Sequence, residues 1–110
     1  MTSDGSHVVF GVGQVGHALI DRLVATGVTV RAVSQRRPVA LSPTVDWRAA
    51  DATDVEAAID AAKGATVVYQ CLNAPYTDWP ERFPPLQHGV LAAAEHAEAL
   101  LVTLENVMPS

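Results

Sequence analysis

The constraint that narrows the fold most is a change of period within the first twenty residues. His7-Val8-Val9-Phe10 is a short β-branched and aromatic run, and Gly11-Val12-Gly13-Gln14-Val15-Gly16 interrupts it. From Gln14 to Thr26 the apolar spacing becomes helical, with Val15, Ala18, Leu19, Leu23 and Val24 on one face and Gly27 as the stop. A buried strand that turns through glycines into an amphipathic helix is the opening of a parallel βαβ unit.

The pattern then repeats with different residues. Val28–Val33 reads as a second strand, followed by Ser34-Gln35-Arg36-Arg37 and Pro38. Pro43 lies in a loop before a weak third strand, Val45–Arg48. Thr53 or Asp54 caps a helix over about Val55–Lys63, with Gly64 beyond it. Thr66–Cys71 makes a fourth strand, and a loop holding Pro75, Pro80, Pro84 and Pro85 follows. An alanine-rich helix over about Leu86–Ala97 and a fifth strand, Leu100–Leu104, complete the series. Alternation without repeat or linker predicts one α/β domain over 1–110, a doubly wound, Rossmann-like parallel sheet in the order 3-2-1-4-5. Its reversal point lies between strands one and four, where ligands enter at the carboxyl ends of the strands.

Each glycine of the turn has a separate physical reason. Gly11 permits the tight exit from the strand, Gly13 removes a side chain where a diphosphate must approach, and Gly16 lets the helix pack close to the sheet. The amides of Gln14 and Val15 at the helix start, with the helix dipole behind them, suit phosphate oxygens. The alternative is an ordinary strand-to-helix turn without a ligand; the strand before and the helix after favour the dinucleotide.

NAD-binding versions of this motif place a carboxylate near the end of the second strand, to bond the ribose hydroxyls. Ser34, Gln35, Arg36 and Arg37 offer a hydroxyl and two guanidinium groups instead, which suit a 2′-phosphate. NADP is therefore favoured, with NAD as the alternative; the competing reading has both arginines as solvated loop charges. Asp51 could accept from the adenine amino group while the Ala52 N–H meets a ring nitrogen, and Thr53 or Asp54 caps the next helix.

These residues, with Val67-Val68-Tyr69-Gln70-Cys71-Leu72-Asn73-Ala74-Pro75, recur in an order that resembles the NAD-dependent epimerase/dehydratase family, the extended and atypical short-chain dehydrogenases. The resemblance spans essentially the whole chain, as the N-terminal half of such a protein. It implies a Rossmann fold, bound NAD(P), and redox chemistry on a sugar or other small carbonyl or alcohol compound. By the same resemblance Asp51 and Ala52 contact adenine, Leu72, Asn73 and Ala74 line the ribose and nicotinamide path, and Tyr76-Thr77-Asp78-Trp79 borders the substrate. Surface packing of the two aromatics is the other reading of that loop.

Two departures bear on catalysis. The family's Tyr-x-x-x-Lys pair is absent: Asn73 stands four positions after Tyr69, Pro80 four after Tyr76, and Lys63 is the one lysine. The nearest hydroxyl to the one expected at the end of the fifth strand is Thr103, followed by Leu104-Glu105-Asn106. No catalytic residue is assigned, and the expectation is a domain truncated at its C-terminus that binds cofactor without turnover. The alternative function is a nucleotide-sensing regulatory module of the potassium-transport type, which pairs a similar glycine motif with a segment like Ala50-Asp51-Ala52-Thr53-Asp54. Such modules usually carry an acidic residue where Ser34–Arg36 stand. A third reading is a folded domain that binds nothing and self-associates.

Composition bounds the partners. A net charge of −5 disfavours nucleic acid. The polar Met1–Ser6 start and the lack of a long apolar run argue against a signal peptide or membrane span, giving a cytoplasmic expectation. One cysteine, Cys71, excludes an intrachain disulfide and reads as a small buried hydrophobe. His7, His17, His88 and His96 lack metal-site spacing, so no metal is expected. Trp47 and Trp79 read as packing residues, with stacking on an adenine as the other reading. The last strand's edge makes a homo-oligomer the expected form of self-association.

Overall fold

The computed structural model describes residues 6–12, 14–38, 41–71 and 79–103, without the side chains of 14, 15 and 79–87. The described residues form five strands and three helices: β1 (Ser6–Phe10), α1 (Gln14–Ala25), β2 (Val30–Ser34), β3 (Asp46–Ala49), α2 (Val55–Ala61), β4 (Ala65–Gln70), α3 (Trp79–Ala97) and β5 (Leu100–Thr103); the expected alternation is interrupted between β2 and β3, where the described residues hold no helix. All neighbouring strands pair in parallel, in the order β3-β2-β1-β4-β5. Order and class agree with the sequence expectation.

Two apolar layers follow from the strand period of two. Val8 and Phe10 of β1, Val33 of β2 and Val68 of β4 pack with Ala58, Ala61, Val90, Ala93 and Ala94 from α2 and α3. Val9, Val30 and Ala32 face the other way and pack with Ile20 of α1. The alanines of α2 and α3 let those helices lie close together and close to the sheet. The register of β1 against β4 shifts between Ser6 and His7, leaving Thr66 as the extra residue.

On α1 the burial differs in detail from the expected stripe. Gly16 and Ile20 are buried, with Leu19, Leu23 and Val24 half-buried, whereas Ala18 is exposed. The buried line runs i, i+4, i+7, i+8 from Gly16, and Ala18 stands two residues, about 200°, around the helix from Gly16. Gly27 closes α1 with φ +89°, and Gly64 follows α2 with φ +82°, as expected of glycines past helix ends.

The larger correction concerns the prolines. Pro80, Pro84 and Pro85 lie within α3, which starts at Trp79 and not near Leu86. Pro80 sits in the first turn, where a missing N–H breaks nothing. Pro84 and Pro85 each forgo one backbone bond, and the burial of Val90, Ala93 and Ala94 further along holds the helix to the sheet despite that loss.

The opposite edge of the sheet is tied by Arg31. Its Nη1 donates to the carbonyls of Ala61 and Lys63, both at 2.8 Å, and its Nε to Asp46 Oδ2 at 3.3 Å. One guanidinium thus joins β2, β3 and the C-terminal end of α2, where a cation also complements the helix dipole.

α3 ends in a Schellman arrangement: Ala99 N donates to Ala94 O at 2.9 Å and Glu98 N to Glu95 O at 3.1 Å. Glu98 occupies the left-handed position with φ +56°, where glycine is the favoured residue. Glu98→Gly should therefore stabilise the domain by about 0.5–1 kcal/mol. The check is a thermal melt, with a rise in midpoint of a few degrees expected.

Candidate functional site

The carboxyl edge of the sheet gathers most of the residues singled out in the sequence. β1 leaves the sheet at Gly11, whose N–H donates to Val33 O at 2.9 Å and whose φ of +97° is left-handed. Cys71 N donates to Phe10 O at 2.8 Å, so the β1 exit is held between β2 and β4. α1 then runs back across the sheet. A Cβ on Gly16 would be driven into the Gly11 carbonyl oxygen, which is the close helix–sheet approach expected of that glycine. No acidic residue stands in the first turn of α1, so no carboxylate there offsets the positive end of its dipole. Gly13 lies outside the described residues, as do Leu72, Asn73, Ala74 and Tyr76–Asp78.

At the end of β2, Ser34 is half-buried and fully engaged. Trp47 Nε1 donates to Ser34 Oγ at 2.9 Å, and Ser34 Oγ donates to Arg36 O at 2.6 Å. The Arg37 guanidinium lies 5.9 Å from the Trp47 ring centroid, a cation–π contact. Arg36 is exposed, and its guanidinium has no hydrogen-bond or ion-pair partner among the described residues.

After β3, Ala50 N donates to Ser34 O at 3.1 Å, which brings the next turn beside the arginine loop. Asp51 Oδ1 accepts from Thr53 N at 2.9 Å and Thr53 Oγ1 at 2.7 Å, an Asx turn. Asp54 is the N-cap of α2, with Oδ1 accepting from Ala57 N at 3.2 Å. Of the two expected caps, Asp54 does the capping, while Thr53 serves the turn. Ala52 is buried, and a Cβ on Gly89 of α3 would strike its carbonyl oxygen.

Gln70 closes β4 at 3% exposure, and Cys71 follows, also buried. Burial pushes the Cys71 thiol up to about 11, and its Cβ stands 3.5 Å from where a Cβ on Gly16 would be. Its burial fits the packing role expected of it. Thr103 sits exposed at the end of β5, paired with Gln70. His88 and His96 are exposed on α3. His7 Nδ1 is 2.9 Å from the Tyr69 hydroxyl, with the rings stacked at 5.8 Å. No group of three or more potential metal ligands occurs among the described residues. None of the helices in the described residues is long and apolar enough to cross a membrane.

The glycine exit from β1 and the start of α1 lie at the carboxyl edge of the sheet, where the strand order reverses between β1 and β4, with the ends of β2 and β3 at the same edge on the other side of β1. This is a Rossmann-like fold. No protein-family model matches the chain, and no curated protein matches it in sequence. Solved structures do match in shape. Uronate dehydrogenase from Agrobacterium tumefaciens superposes with a TM-score of 0.75 at 17% identity, over 92% of this chain and 40% of its own; a variant of that enzyme has been solved with NAD. A Rossmann-fold NAD(P)-binding family protein from Shigella flexneri gives 0.70 at 17% identity, over 88% of this chain and 49% of its own. Vestitone reductase from alfalfa (Medicago sativa) gives 0.72 at 18% identity, over 91% and 36%. The chain therefore spans less than half the length of these neighbours.

Trp47 packs as its sequence reading expects, but its bond to Ser34 was not foreseen, and neither was the close approach of Gly89. Trp47 lies on the same face as Ser34, one pair along, because Ala32 opposes Trp47 and Ser34 opposes Ala49; the strand period carries that signal once the pairing is known. Gly89 was legible in principle, because an isolated glycine within a helical pattern marks a close approach.

Two measurements probe the site's packing. Gly89→Ala should destabilise the domain by roughly 1–3 kcal/mol through overpacking against Ala52, seen as a lower urea midpoint. Native protein at pH 8 should resist thiol reagents, since a group titrating near 11 is only about one part in a thousand thiolate there. Unfolding in urea should expose Cys71 to rapid labelling.

Proposed function

We propose that this chain binds a nicotinamide dinucleotide across the carboxyl edge of β1, β2 and β3, with NADP preferred over NAD. The observation that carries this reading is the β1–α1 junction. A left-handed Gly11 and a Gly16 pressed against its carbonyl bring a helix N-terminus with no acidic residue in its first turn to the reversal point of the sheet. Amide hydrogens and the dipole at that point suit a diphosphate.

The ribose side supports NADP. No carboxylate stands among Ser34–Arg37, and Arg36 offers an exposed guanidinium next to the end of β2. The Ala50 N–H bond to the Ser34 carbonyl, which keeps the Asp51–Ala52 turn beside the end of β2, supports a role for that turn toward the adenine. The shape likeness to oxidoreductases that are themselves dehydrogenases or reductases fits a cofactor half of the epimerase/dehydratase type. The cofactor supplies or accepts hydride when bound; this chain's own residues bind and orient it. Without a Tyr-x-x-x-Lys pair, the chain alone lacks the positioned proton donor that reduction of a carbonyl requires.

Titration of NADPH and NADH fluorescence against the purified chain tests the reading. Saturable binding is expected for both, tighter for NADPH, with Gly13→Val abolishing both by filling the space for the diphosphate. Wild-type protein that binds neither cofactor at millimolar concentration would overturn it. Incubation with NADPH and a panel of small carbonyl compounds should give no oxidation of cofactor above background.

A further inference from the structure

We infer that the two arginines after β2 have different tasks: Arg36 is the ligand of the 2′-phosphate, and Trp47 is a positioning residue that sets Arg36 in place, with Arg37 held as part of that brace. The inference rests on the dinucleotide reading and deepens it to the residue level.

The argument starts from β3. Trp47 opposes Ala32 in the β2–β3 ladder, so its indole lies on the face that carries Ser34. The half-buried ring packs against the apolar layer under α1, which fixes its place independently of any ligand. From there the indole N–H reaches Ser34 Oγ at 2.9 Å. With that lone pair engaged, the hydroxyl hydrogen is directed to the Arg36 carbonyl at 2.6 Å. The chain of two bonds closes the turn over residues 34–36 and holds the Arg36 backbone from beneath.

Arg37 leans back over the same indole, 5.9 Å from its centroid. A guanidinium held over a ring surrenders part of its freedom to meet a phosphate, and its positive charge is partly matched by the ring face. Arg36 has no such attachment among the described residues and is exposed. A planar fork on a preset backbone loses little on meeting a phosphate, which is the arrangement that a bidentate phosphate contact needs. Ser34, whose one hydrogen is already given to Arg36, acts through the turn and not as a donor to the phosphate.

The test is the ratio of NADH to NADPH dissociation constants, measured on the full chain by cofactor fluorescence. Arg36→Ala should lower that ratio about tenfold, the scale of a charge-assisted contact. Trp47→Phe keeps an aromatic ring at the position but removes the N–H; it should lower the ratio about threefold, as loss of one neutral hydrogen bond would. Ser34→Ala breaks the same chain at its middle and should match Trp47→Phe, which guards against a folding defect in either variant. Arg37→Ala should move the ratio less than Arg36→Ala does. A merely structural role for Trp47 would weaken both cofactors equally and leave the ratio alone. The inference fails, with the dinucleotide reading intact, if Trp47→Phe and Ser34→Ala both leave the ratio unmoved, if Arg37→Ala exceeds Arg36→Ala, or if the wild type shows no preference. Absence of binding by the wild type overturns both.

Discussion

The arrangement of this molecule depends on a contact between backbones: α1 at Gly16 against the carbonyl of Gly11. Where two main chains meet this closely, no side chain can stand between them, so the angle and height of the helix over the sheet are set by the peptide groups themselves. Ile20, one turn further on, then drops into the layer beneath α1 beside Val9 and Ala32. A second such contact, Gly89 on the Ala52 carbonyl, fixes α3 and the turn before α2 on the other face.

The electrostatics of the carboxyl edge come from an arrangement, not from net charge. The chain as a whole is acidic, yet the α1 N-terminus has no acidic residue in its first turn and the β2 exit carries two arginines. Acidic groups at the same edge are occupied locally: Asp51 accepts from Thr53, and Asp54 caps α2.

Much of this was legible from residue order because the physical rules involved are local. Strand-to-glycine-to-helix at 7–26 predicts β1 and α1 within a residue or two, and the strand-helix alternation predicts the 3-2-1-4-5 order that the structure adopts. Gly11, Gly16 and Gly27 have the conformations or contacts their positions implied. What escaped was non-local. Prolines at 80, 84 and 85 suggest a loop by propensity, but α3 extends through them because its later turns are anchored in the core. Ala18 looked like part of the buried face by residue type, and only the docking angle excludes it. The Trp47–Ser34 bond links residues 13 positions apart in the chain and needs the β2–β3 register before it can be seen. Leu72–Ala74 and Gly13 lie outside the described residues.

Arg31 gives the fold a further property. It grips the last carbonyls of α2 from the sheet's amino edge, while Asp54 caps the other end of the same seven-residue helix. Seven residues of α-helix measure only about 10 Å, too short to bend appreciably. Arg31 and the Asp54 cap thus hold both ends of the helix that opens directly after the Asp51–Ala52 turn, one from the sheet and one from the helix's own first turn.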